Sequence, residues 1–379
     1  MADRESEVVA KIASGLSGLN ARAWDRLVSG DPFVSHAFLS ALEDSGSVGR
    51  GTGWTPAPIF IEDERSRVVA AAPAYLKTHS QGEYVFDHGW ADAWERAGGQ
   101  YYPKLQVAVP FTPVPGPRLL GSRPQQLLAA IEAVTVQNGM SSAHITFVDP
   151  GGASECARRD WLIRDGIQYH WFNRAYRSFD DFLAALSSRK RKAIRKERET
   201  ACRGIDIHAL RGEEIGPSDW DAMWAFYQDT GSRKWGRPYL TREFFDLVGE
   251  RMGERVLLFL AYRDSLPIAG ALNFIGEDTL YGRYWGTIDE VPFLHFELCY
   301  YRAIDWAIEH GLSSVQAGAQ GEHKLSRGYE PVITRSAHFI PNAAFRDAVA
   351  AFLEGECTAV ASEVELLRQD LPYRSSSSA

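Results

Sequence analysis

The spacing of apolar residues divides the chain into short strands and amphipathic helices. Residues 58–75 form an apolar run, a polar segment and a second apolar run, which predicts two strands joined by a turn. Residues 257–274 have the same form. Ahead of each strand pair, apolar residues recur three and four positions apart, as on one face of a helix. These predicted helices include residues 24–27, 36–43, 220–227 and 243–248.

The two strand pairs belong to an internal duplication that runs through most of the chain. Matching positions at one constant spacing are Phe60/Phe259, Val69/Ile268, Ala70/Ala269 and Tyr75/Phe274. A third strand is predicted next in each half, matched through Tyr84/Tyr281, Gly89/Gly286 and Asp92/Asp289. A helix follows, ending at Gly139 in the first half and at Gly311 in the second. Between this strand and this helix the first half carries an insertion, which includes residues 98–103 and 110–117.

Antiparallel strands with short turns, followed by a helix and a further strand, predict a mixed sheet covered by helices. We therefore expect an α/β protein of two domains with mixed sheets. The predicted domains are residues 1–178 and residues 179–379, and a basic helix within 179–204 is expected to open the second domain.

Composition excludes several classes of protein but does not indicate a function. The chain has 379 residues, of which 45% are hydrophobic and 24% charged, and a net charge of −8, which excludes disordered and collagen-like chains. The longest apolar run, residues 256–262, is far shorter than the ~18 residues of a transmembrane helix. The N-terminus lacks the pattern of a secretory signal, and the scattered cysteines suggest no disulfide framework, so a cytoplasmic location is expected.

The order of the elements resembles the fold of GNAT N-acyltransferases, and two such units in tandem resemble the FemABX-type aminoacyl (peptidyl) transferases. The residues that carry the resemblance are 294–301, LHFELCYY, and 317–329, AGAQGEHKLSRGY. They are similar to a group of predicted N-acyltransferases described as peptidoglycan biosynthesis/recognition proteins. The resemblance covers nearly the whole chain and implies tandem GNAT-like domains that transfer an activated acyl group to an amine.

The glycine-rich signature with which ordinary GNAT enzymes hold the pyrophosphate of acyl-CoA is absent. At the corresponding place, residues 286–297 read GTIDEVPFLHFE, with acids and no pair of glycines. The first-half loop 113–121 has two glycines and Arg118 ahead of a helix, and is either a phosphate loop or a structural connector. The resemblance therefore favours aminoacyl-tRNA over acyl-CoA as the acyl donor and co-substrate, with no tightly bound cofactor.

Lys324 is the strongest catalytic candidate. It resembles the lysine of the FemABX Phe-Lys-x-x-Phe-Gly motif, with His323 and Arg327 in the two Phe positions. A fixed cation stabilises the oxygen that becomes negative when an amine attacks an ester or thioester carbonyl. The aligned first-half position has no lysine, so we expect one reaction site, in the second half. The alternative is a surface lysine in a polar loop.

An attacking ammonium must lose a proton, so a base is expected near Lys324. Glu297 and His323 are the catalytic candidates for this step. Glu297 starts a predicted helix, where it could equally bind the amine or interact with the helix dipole. The candidates for substrate binding beside them are His295, Glu322 and Arg327. The histidines are not spaced as zinc ligands, so no metal site is expected.

Three consecutive residues of the third second-half strand are further candidates for substrate binding. Alternation along the strand places Arg283 and Trp285 on one face and Tyr284 on the other. A buried arginine without a partner is costly, so Arg283 either contacts substrate or forms a salt bridge. The two aromatic residues either contact substrate or belong to the core.

Two polar and aromatic clusters complete the substrate-binding candidates. Residues 231–240 combine glycines, cations and aromatics, which is typical of a mobile loop that grips an anionic or sugar-bearing substrate, although solvated loop charge explains it equally. The candidates in this loop are Arg233, Trp235, Arg237 and Tyr239. The first-half candidates, which flank the insertion, are Asp87, His88, Tyr102 and Lys104.

Residues 189–198 hold seven cations and one acid, and are similar to the basic Arg-x-x-Ile-Arg-Lys segment of FemABX proteins. Like charges four positions apart on a helix repel, so this concentration indicates an anionic partner. Nucleotide phosphates, a tRNA acceptor stem and anionic lipid headgroups all fit, and neutralisation by acids elsewhere in the fold is the alternative. The phosphate- or tRNA-binding candidates are Arg189, Lys190, Arg191, Lys192, Arg195 and Lys196.

These interpretations combine into an N-acyltransferase that moves an acyl or aminoacyl group onto a small-molecule or peptide amine. The amine can attack directly once both partners are oriented, so no covalent enzyme intermediate is needed. The alternative is a non-catalytic module on the same fold that binds a glycan, a cell-wall precursor or RNA. The oligomeric state stays open.

Overall fold

The computed structural model describes residues 10–235, 238–318 and 321–374, and the side chains of residues 232–235 lie outside that description. The chain folds as a mixed α/β protein in which helices accompany a large mixed sheet and a second sheet of four strands, β1-β3-β4-β7. None of the helices in these three segments is long and apolar enough to cross a membrane.

The contacts divide the chain into two compact units. Unit 1 comprises residues 1–166 and 334–360, and unit 2 comprises residues 167–333 and 361–379. The sequence-based division at residue 178 differs from this one, because a late strand and the first part of the last helix are built into unit 1.

Unit 1 holds most of the first half of the chain. Its strands are β1 (Ala10–Ile12), β2 (Trp54–Pro56), β3 (Ile59–Glu62), β4 (Val68–Ala72), β5 (Ala74–Lys77), β6 (Lys104–Val107), β7 (Leu120–Gly121) and β8 (Ala143–Val148). Its helices are α1 (Ala21–Asp25), α2 (His36–Asp44), α3 (His88–Arg96), α4 (Pro124–Gln137) and α5 (Pro150–Ala157). Strand β9 (Leu162–Phe172) leads into unit 2.

Unit 2 holds the remaining elements. Its helices are α6 (Phe179–Ala185), α7 (Ser188–Ala201), α8 (Pro217–Trp235), α9 (Arg242–Met252), the short α10 (Leu294–Phe296) and α11 (Arg302–Glu309). Its strands are β10 (Asp206–Arg211), β11 (Val256–Arg263), β12 (Leu266–Ile275), β13 (Thr279–Thr287) and β14 (Ser314–Ala317). Strand β15 (Glu330–Phe339) and helix α12 (Ala343–Gln369) each contribute to both units.

The duplication is visible in the strand order of the two units. In unit 2 the order is β10-β11-β12-β13-β14-β9, with β13 parallel to β14 and antiparallel to β12. In unit 1 the order β15-β8-β6-β5-β2 contains the same arrangement, with β6 parallel to β8 and antiparallel to β5. The helices that precede β8 and β14 end at Gly139 and Gly311, whose φ angles of 61° and 69° suit glycine.

The third strand of unit 1 is not where the sequence pattern placed it. The segment around Tyr84 and Asp92 forms a loop and helix α3, and the third strand is β6, inside the predicted insertion. Trp90 and Trp94 lie four positions apart, which is a helical spacing. The helix packs into a cluster that includes Phe345, whose ring stacks on Trp94 at a centroid distance of 4.7 Å. The packing of Trp90 and Trp94 therefore favours a helix here, although the sequence aligns with the strand β13.

The rest of the insertion closes the free edge of β8 beyond the end of β6. Gly116 donates a backbone hydrogen bond to Phe147 O and accepts one from Asp149 N, both at 3.0 Å. A Cβ atom here would lie 2.2 Å from a carboxylate oxygen of Asp31, so a larger residue would require the Asp31 side chain to shift. Arg118 is buried and donates to backbone carbonyls, among them Val114 O at 2.6 Å, so a phosphate-binding role is not supported.

A buried charge network lies in unit 1. Lys104 is 0% exposed and pairs with Asp87 and, at 2.7 Å, with Glu83. Lys77 lies 3.7 Å above the ring of Trp54. Burial raises the pKa of Glu83 to about 7, although Lys104 opposes the shift. The charges of the buried lysines and carboxylates therefore compensate one another within the core.

Removing one member of this network leaves a buried charge without compensation. We expect Lys104→Met to lower the free energy of unfolding by about 3–5 kcal/mol. The control is Lys11→Met, which breaks the half-exposed pair with Glu62 and should cost at most about 1 kcal/mol. Chemical denaturation of both variants makes the comparison, and equal losses would contradict the structural role given to Lys104.

Candidate active site

A chamber forms in unit 2 where two parallel strands separate. β13 and β14 pair only over Thr279–Gly282 and Ser314–Ala317, and β13 continues to Thr287 without β14 beside it. A cavity of about 110 Å³ opens at this point, and we call it the strand chamber. Its lining residues include Asn273, Arg283, Trp285, His295, Cys299 and Gly318.

A β-bulge shapes one wall of the strand chamber. Tyr284 pairs with Leu272 and Gly282 pairs with Asn273, so Arg283 is the extra residue of β13. Tyr284 packs on Tyr227 of α8 at 5.6 Å between ring centroids, while Trp285 packs on His295 at 5.2 Å. The three candidates from this strand, Arg283, Tyr284 and Trp285, therefore all reach the chamber wall, with the aromatic rings also serving the packing around it.

Lys324 is buried beside the strand chamber. It belongs to a 3-10 helix, Glu322–Arg327, and is 1% exposed. Its ammonium group donates a 2.7 Å hydrogen bond to the carbonyl oxygen of Gly318, a residue of the chamber wall. No carboxylate among the described residues forms an ion pair with it. The alternative interpretation, a solvated surface lysine, does not fit this burial.

The environment of Lys324 weakens its hold on the proton. Burial lowers the pKa of Lys324 to about 7, with Cys299 opposing the shift and the positive charge of Arg283 adding to it. Both protonation states are therefore accessible near neutral pH. In the charged state, the ammonium is a preorganised hydrogen-bond donor in a site with little water.

Glu297 is held in a buried ion-pair cluster. It lies in a turn of π-helix, Glu297–Tyr301, and is 0% exposed. Its carboxylate accepts from Arg198 of α7 at 3.0 Å and from Arg302 of α11 at 2.9 Å. These contacts favour a positioning role for Glu297 over the predicted roles of base, amine ligand or helix cap.

His323 connects the chamber wall to the surface. The residue is exposed, and its Nε2 lies 2.9 Å from the hydroxyl of Tyr300, which lines the chamber. Burial raises the pKa of Tyr300, so its phenol stays neutral. The pair offers a route for a proton between chamber and solvent. Glu322, also exposed, stands next to it.

Arg327 serves the structure around the lysine. Its guanidinium lies 3.5 Å from the centre of the Phe296 ring and pairs with Glu197 of α7 at 2.9 Å. These contacts fix the 3-10 helix of Lys324 to α7. They leave the predicted substrate-binding role of Arg327 without support, because the guanidinium is buried by its own chain.

A second, larger cavity adjoins these residues. It measures about 610 Å³ and shares Trp285 and His295 with the strand chamber. Its wall is formed largely by the loop after β13, which carries Asp289 and Glu290 in place of glycines. Asp289 pairs with Arg263. Carboxylates on this loop make it a poor binding site for phosphate.

The basic surface of α7 points away from the buried ion pairs. Glu197 and Arg198 bind Arg327 and Glu297, whereas Arg195 pairs with Asp180 at 2.9 Å. Within the part of the chain that the structure describes, the other cations of this helix form no ion pair. They are Arg189, Lys190, Arg191, Lys192 and Lys196. Neutralisation by acids of the fold thus accounts for only part of the charge.

Of the remaining predicted candidates, those whose side chains the structure describes do not converge on the strand chamber. Asp87 and Lys104 belong to the buried network of unit 1, where Tyr102 bonds Ser80 at 2.8 Å and His88 is exposed. In unit 2, Tyr239 is half-buried, and its backbone N–H donates to the hydroxyl of Tyr227. Three further candidates lie outside the described side chains: Arg233, Trp235 and Arg237.

Three residues of the site were missed by the sequence reasoning. Cys299 and Tyr300 follow Glu297 on the π-helical turn, a local geometry that recurs at functional sites. Asn273 is a buried polar residue in the otherwise apolar sequence LPIAGALNFI of β12. That polar interruption is the one signal in the sequence that could have indicated it.

Comparisons with known proteins agree with this architecture. The family model for FemAB-like proteins, described as peptidoglycan biosynthesis/recognition, matches residues 15–375. A search of curated proteins finds no match.

Among solved structures, FemX superposes with a TM-score of 0.52 at 11% identity, covering 90% of this chain and 100% of FemX. A conserved protein of unknown function from Bacteroides thetaiotaomicron gives 0.53 at 9% identity, covering 87% of this chain and 99% of that one. The C-terminal domain of a candidate lysylphosphatidylglycerol synthetase from Agrobacterium fabrum gives 0.50 at 11% identity, with coverages of 88% and 95%.

At these identities the solved structures establish the fold alone. The family model, in contrast, spans nearly the whole sequence. The tandem GNAT-like fold and that match together mean that this chain belongs to the FemAB-like family of peptidoglycan biosynthesis/recognition proteins.

Proposed function

We propose that the protein is an aminoacyltransferase that moves an aminoacyl group from tRNA onto an amine acceptor. The observation that carries the proposal is the buried ammonium of Lys324 beside the strand chamber. A buried cation without a carboxylate partner is costly to fold, and negative charge that develops on a substrate oxygen would compensate it.

The chemistry requires a simple exchange of bonds. The acceptor nitrogen attacks the ester carbonyl, the new C–N bond forms, and the C–O bond to the tRNA breaks. Lys324 donates a hydrogen bond to the carbonyl oxygen as its charge grows. The attacking amine loses one proton, which the Tyr300–His323 pair carries toward solvent, and the departing ribose oxygen gains one.

Two features favour tRNA over acyl-CoA as the donor. The cations of α7 without ion pairs form a phosphate-binding surface, and Glu197 joins this helix to the helix of Lys324. The loop after β13 carries acids where a pyrophosphate site would need N–H donors. FemX and the lysylphosphatidylglycerol synthetase domain share the fold, and the family description, peptidoglycan biosynthesis/recognition, agrees with cell-envelope chemistry.

The acceptor is a small-molecule or peptide amine. The 610 Å³ cavity has the size of a site for such a molecule and shares Trp285 and His295 with the strand chamber. Glu290 in its wall suits a positively charged amine, whereas Asp289 is already paired with Arg263.

The direct test is product formation. Aminoacyl-tRNA or acyl-CoA is incubated with the protein and a panel of primary amines, and mass spectrometry detects the amide. Amide formed from aminoacyl-tRNA supports the proposal, and amide formed only from acyl-CoA contradicts the choice of donor. No product with any donor, together with binding of a glycan, cell-wall precursor or RNA, would identify a binding module instead.

Lys324 should control the rate in that assay. We expect Lys324→Met to lower kcat by about 10²–10³, the usual cost of losing one donor to a developing oxyanion. Thermal unfolding of the same variant is the control for folding. Full activity in a folded Lys324→Met protein would remove Lys324 from the mechanism.

The protonation state of Lys324 predicts the pH profile. Because the pKa of Lys324 is about 7 and the charged form is required, the rate should fall about tenfold per pH unit above that value. A weakly basic acceptor such as methoxyamine keeps its own titration out of this range. Lys324→Arg stays charged and should lose the decline. A rate that rises through pH 7 would instead make Lys324 a base.

The same pKa predicts how stability depends on pH. The unfolded chain holds the Lys324 proton up to the ordinary pKa of 10.5, whereas the folded chain releases it near 7. Since the unfolded state binds more protons between these values, this residue makes stability rise with pH across that interval. The difference between wild type and Lys324→Met, measured by denaturation at several pH values, isolates this contribution.

The surface of α7 should contribute to tRNA affinity through counterion release. We expect the double variant Lys192→Ala/Lys196→Ala to weaken binding and to reduce the slope of log K against log salt by about 2. The matched control is Arg22→Ala/Arg26→Ala, two exposed cations with the same spacing, on α1 and at its C-cap. Fluorescence titration across salt concentrations measures both, and equal slopes for the two double variants would contradict the assignment.

A further inference from the structure

Asn273 presents a buried hydrogen-bond acceptor to the strand chamber. The side chain is 1% exposed, and its Nδ2 donates to Ala271 O at 3.0 Å and to Leu257 O at 3.3 Å. These two bonds fix the orientation of the amide. The other end, Oδ1, is buried and receives no hydrogen bond from the residues that the structure describes. A buried acceptor left in this state is costly, so its presence needs a reason.

Gly282 leaves room for this oxygen at the chamber wall. It faces Asn273 across the β12–β13 pair and lines the same chamber. A Cβ atom at position 282 would lie 3.3 Å from Asn273 Oδ1, which is tighter than ordinary contact. The absence of a side chain at position 282 thus avoids a close contact between a carbon atom and the acceptor.

We infer that Asn273 is a specificity-determining residue that accepts a hydrogen bond from the amino group of a small aminoacyl substrate. This inference rests on the proposed function, because it concerns the acyl group that Lys324 would polarise. An acyl group without an N–H, such as an acetyl or propionyl group, leaves Oδ1 unsatisfied and is rejected for that reason.

The size of the strand chamber sets the size of the group. Its 110 Å³ corresponds to the space of roughly four water molecules. A glycyl group, with four heavy atoms besides the ester oxygen, fits this volume. Two cations near the chamber, Lys324 and Arg283, favour the neutral amine, which still offers two N–H donors to Asn273.

The test compares the binding of two ligands of the same shape, and it does not require the amine that accepts the acyl group. The probes are 3′-deoxyadenosine carrying a 3′-glycylamino or a 3′-propionylamino group. In both probes an amide replaces the reactive ester. The propionyl probe differs from the glycyl probe in having a methyl group in place of the amine. We expect wild-type protein to bind the glycyl probe about 10- to 100-fold more tightly by calorimetry. Asn273→Ala should bind both probes with similar affinity, because it lacks the acceptor that distinguishes them.

Each outcome separates this inference from the proposed function. Equal binding of both probes by wild type overturns the role of Asn273 even if glycyl transfer is observed, and would indicate that the acceptor is satisfied by water alone. An equal loss for both probes in Asn273→Ala indicates a structural role and also overturns it. If neither probe binds and no aminoacyl-tRNA yields product, the proposed function itself fails. If Asn273→Ala does not fold, the difference in affinity of the two probes for the wild-type protein still tests the inference.

Discussion

The short pairing between β13 and β14 is the constraint on which the site depends. Two parallel strands that stay together for four residue pairs and then separate leave a gap inside a sheet. Such a gap exposes backbone and side-chain polar groups in a place that excludes most water. The strand chamber, the buried lysine and the orphan amide oxygen of Asn273 are all consequences of that separation.

The ion pairs around Glu297 hold the pieces of the site together. Arg198 brings in α7, Arg302 brings in α11, and the carboxylate between them sits on the π-helical turn that carries Cys299 and Tyr300. The pair of Glu197 and Arg327 adds a second link, from α7 to the helix of Lys324. The cationic helix α7 and the turns beside the strand chamber are therefore linked by ion pairs within unit 2.

Local sequence patterns predicted the fold class, but they predicted only some residues of the candidate site. The helices that end at Gly139 and Gly311 followed from periodicity and glycine, because helix termination is a local property. The importance of Lys324 came from a motif. The partners of Glu297 could not be predicted, since Arg198 lies 99 positions away and any of several acids could have met it. The third strand of unit 1 was misplaced because tryptophan burial is decided by tertiary contacts.

The backbone hydrogen bonds between Gly116 and β8 distinguish unit 1 from unit 2. Each unit contains a parallel strand pair, yet in unit 1 the chain itself fills the space beside β8 beyond the end of β6. The lysine and carboxylates of unit 1 neutralise one another within its core. If the proposed transfer takes place in the strand chamber, each polypeptide therefore holds one acyl group at a time.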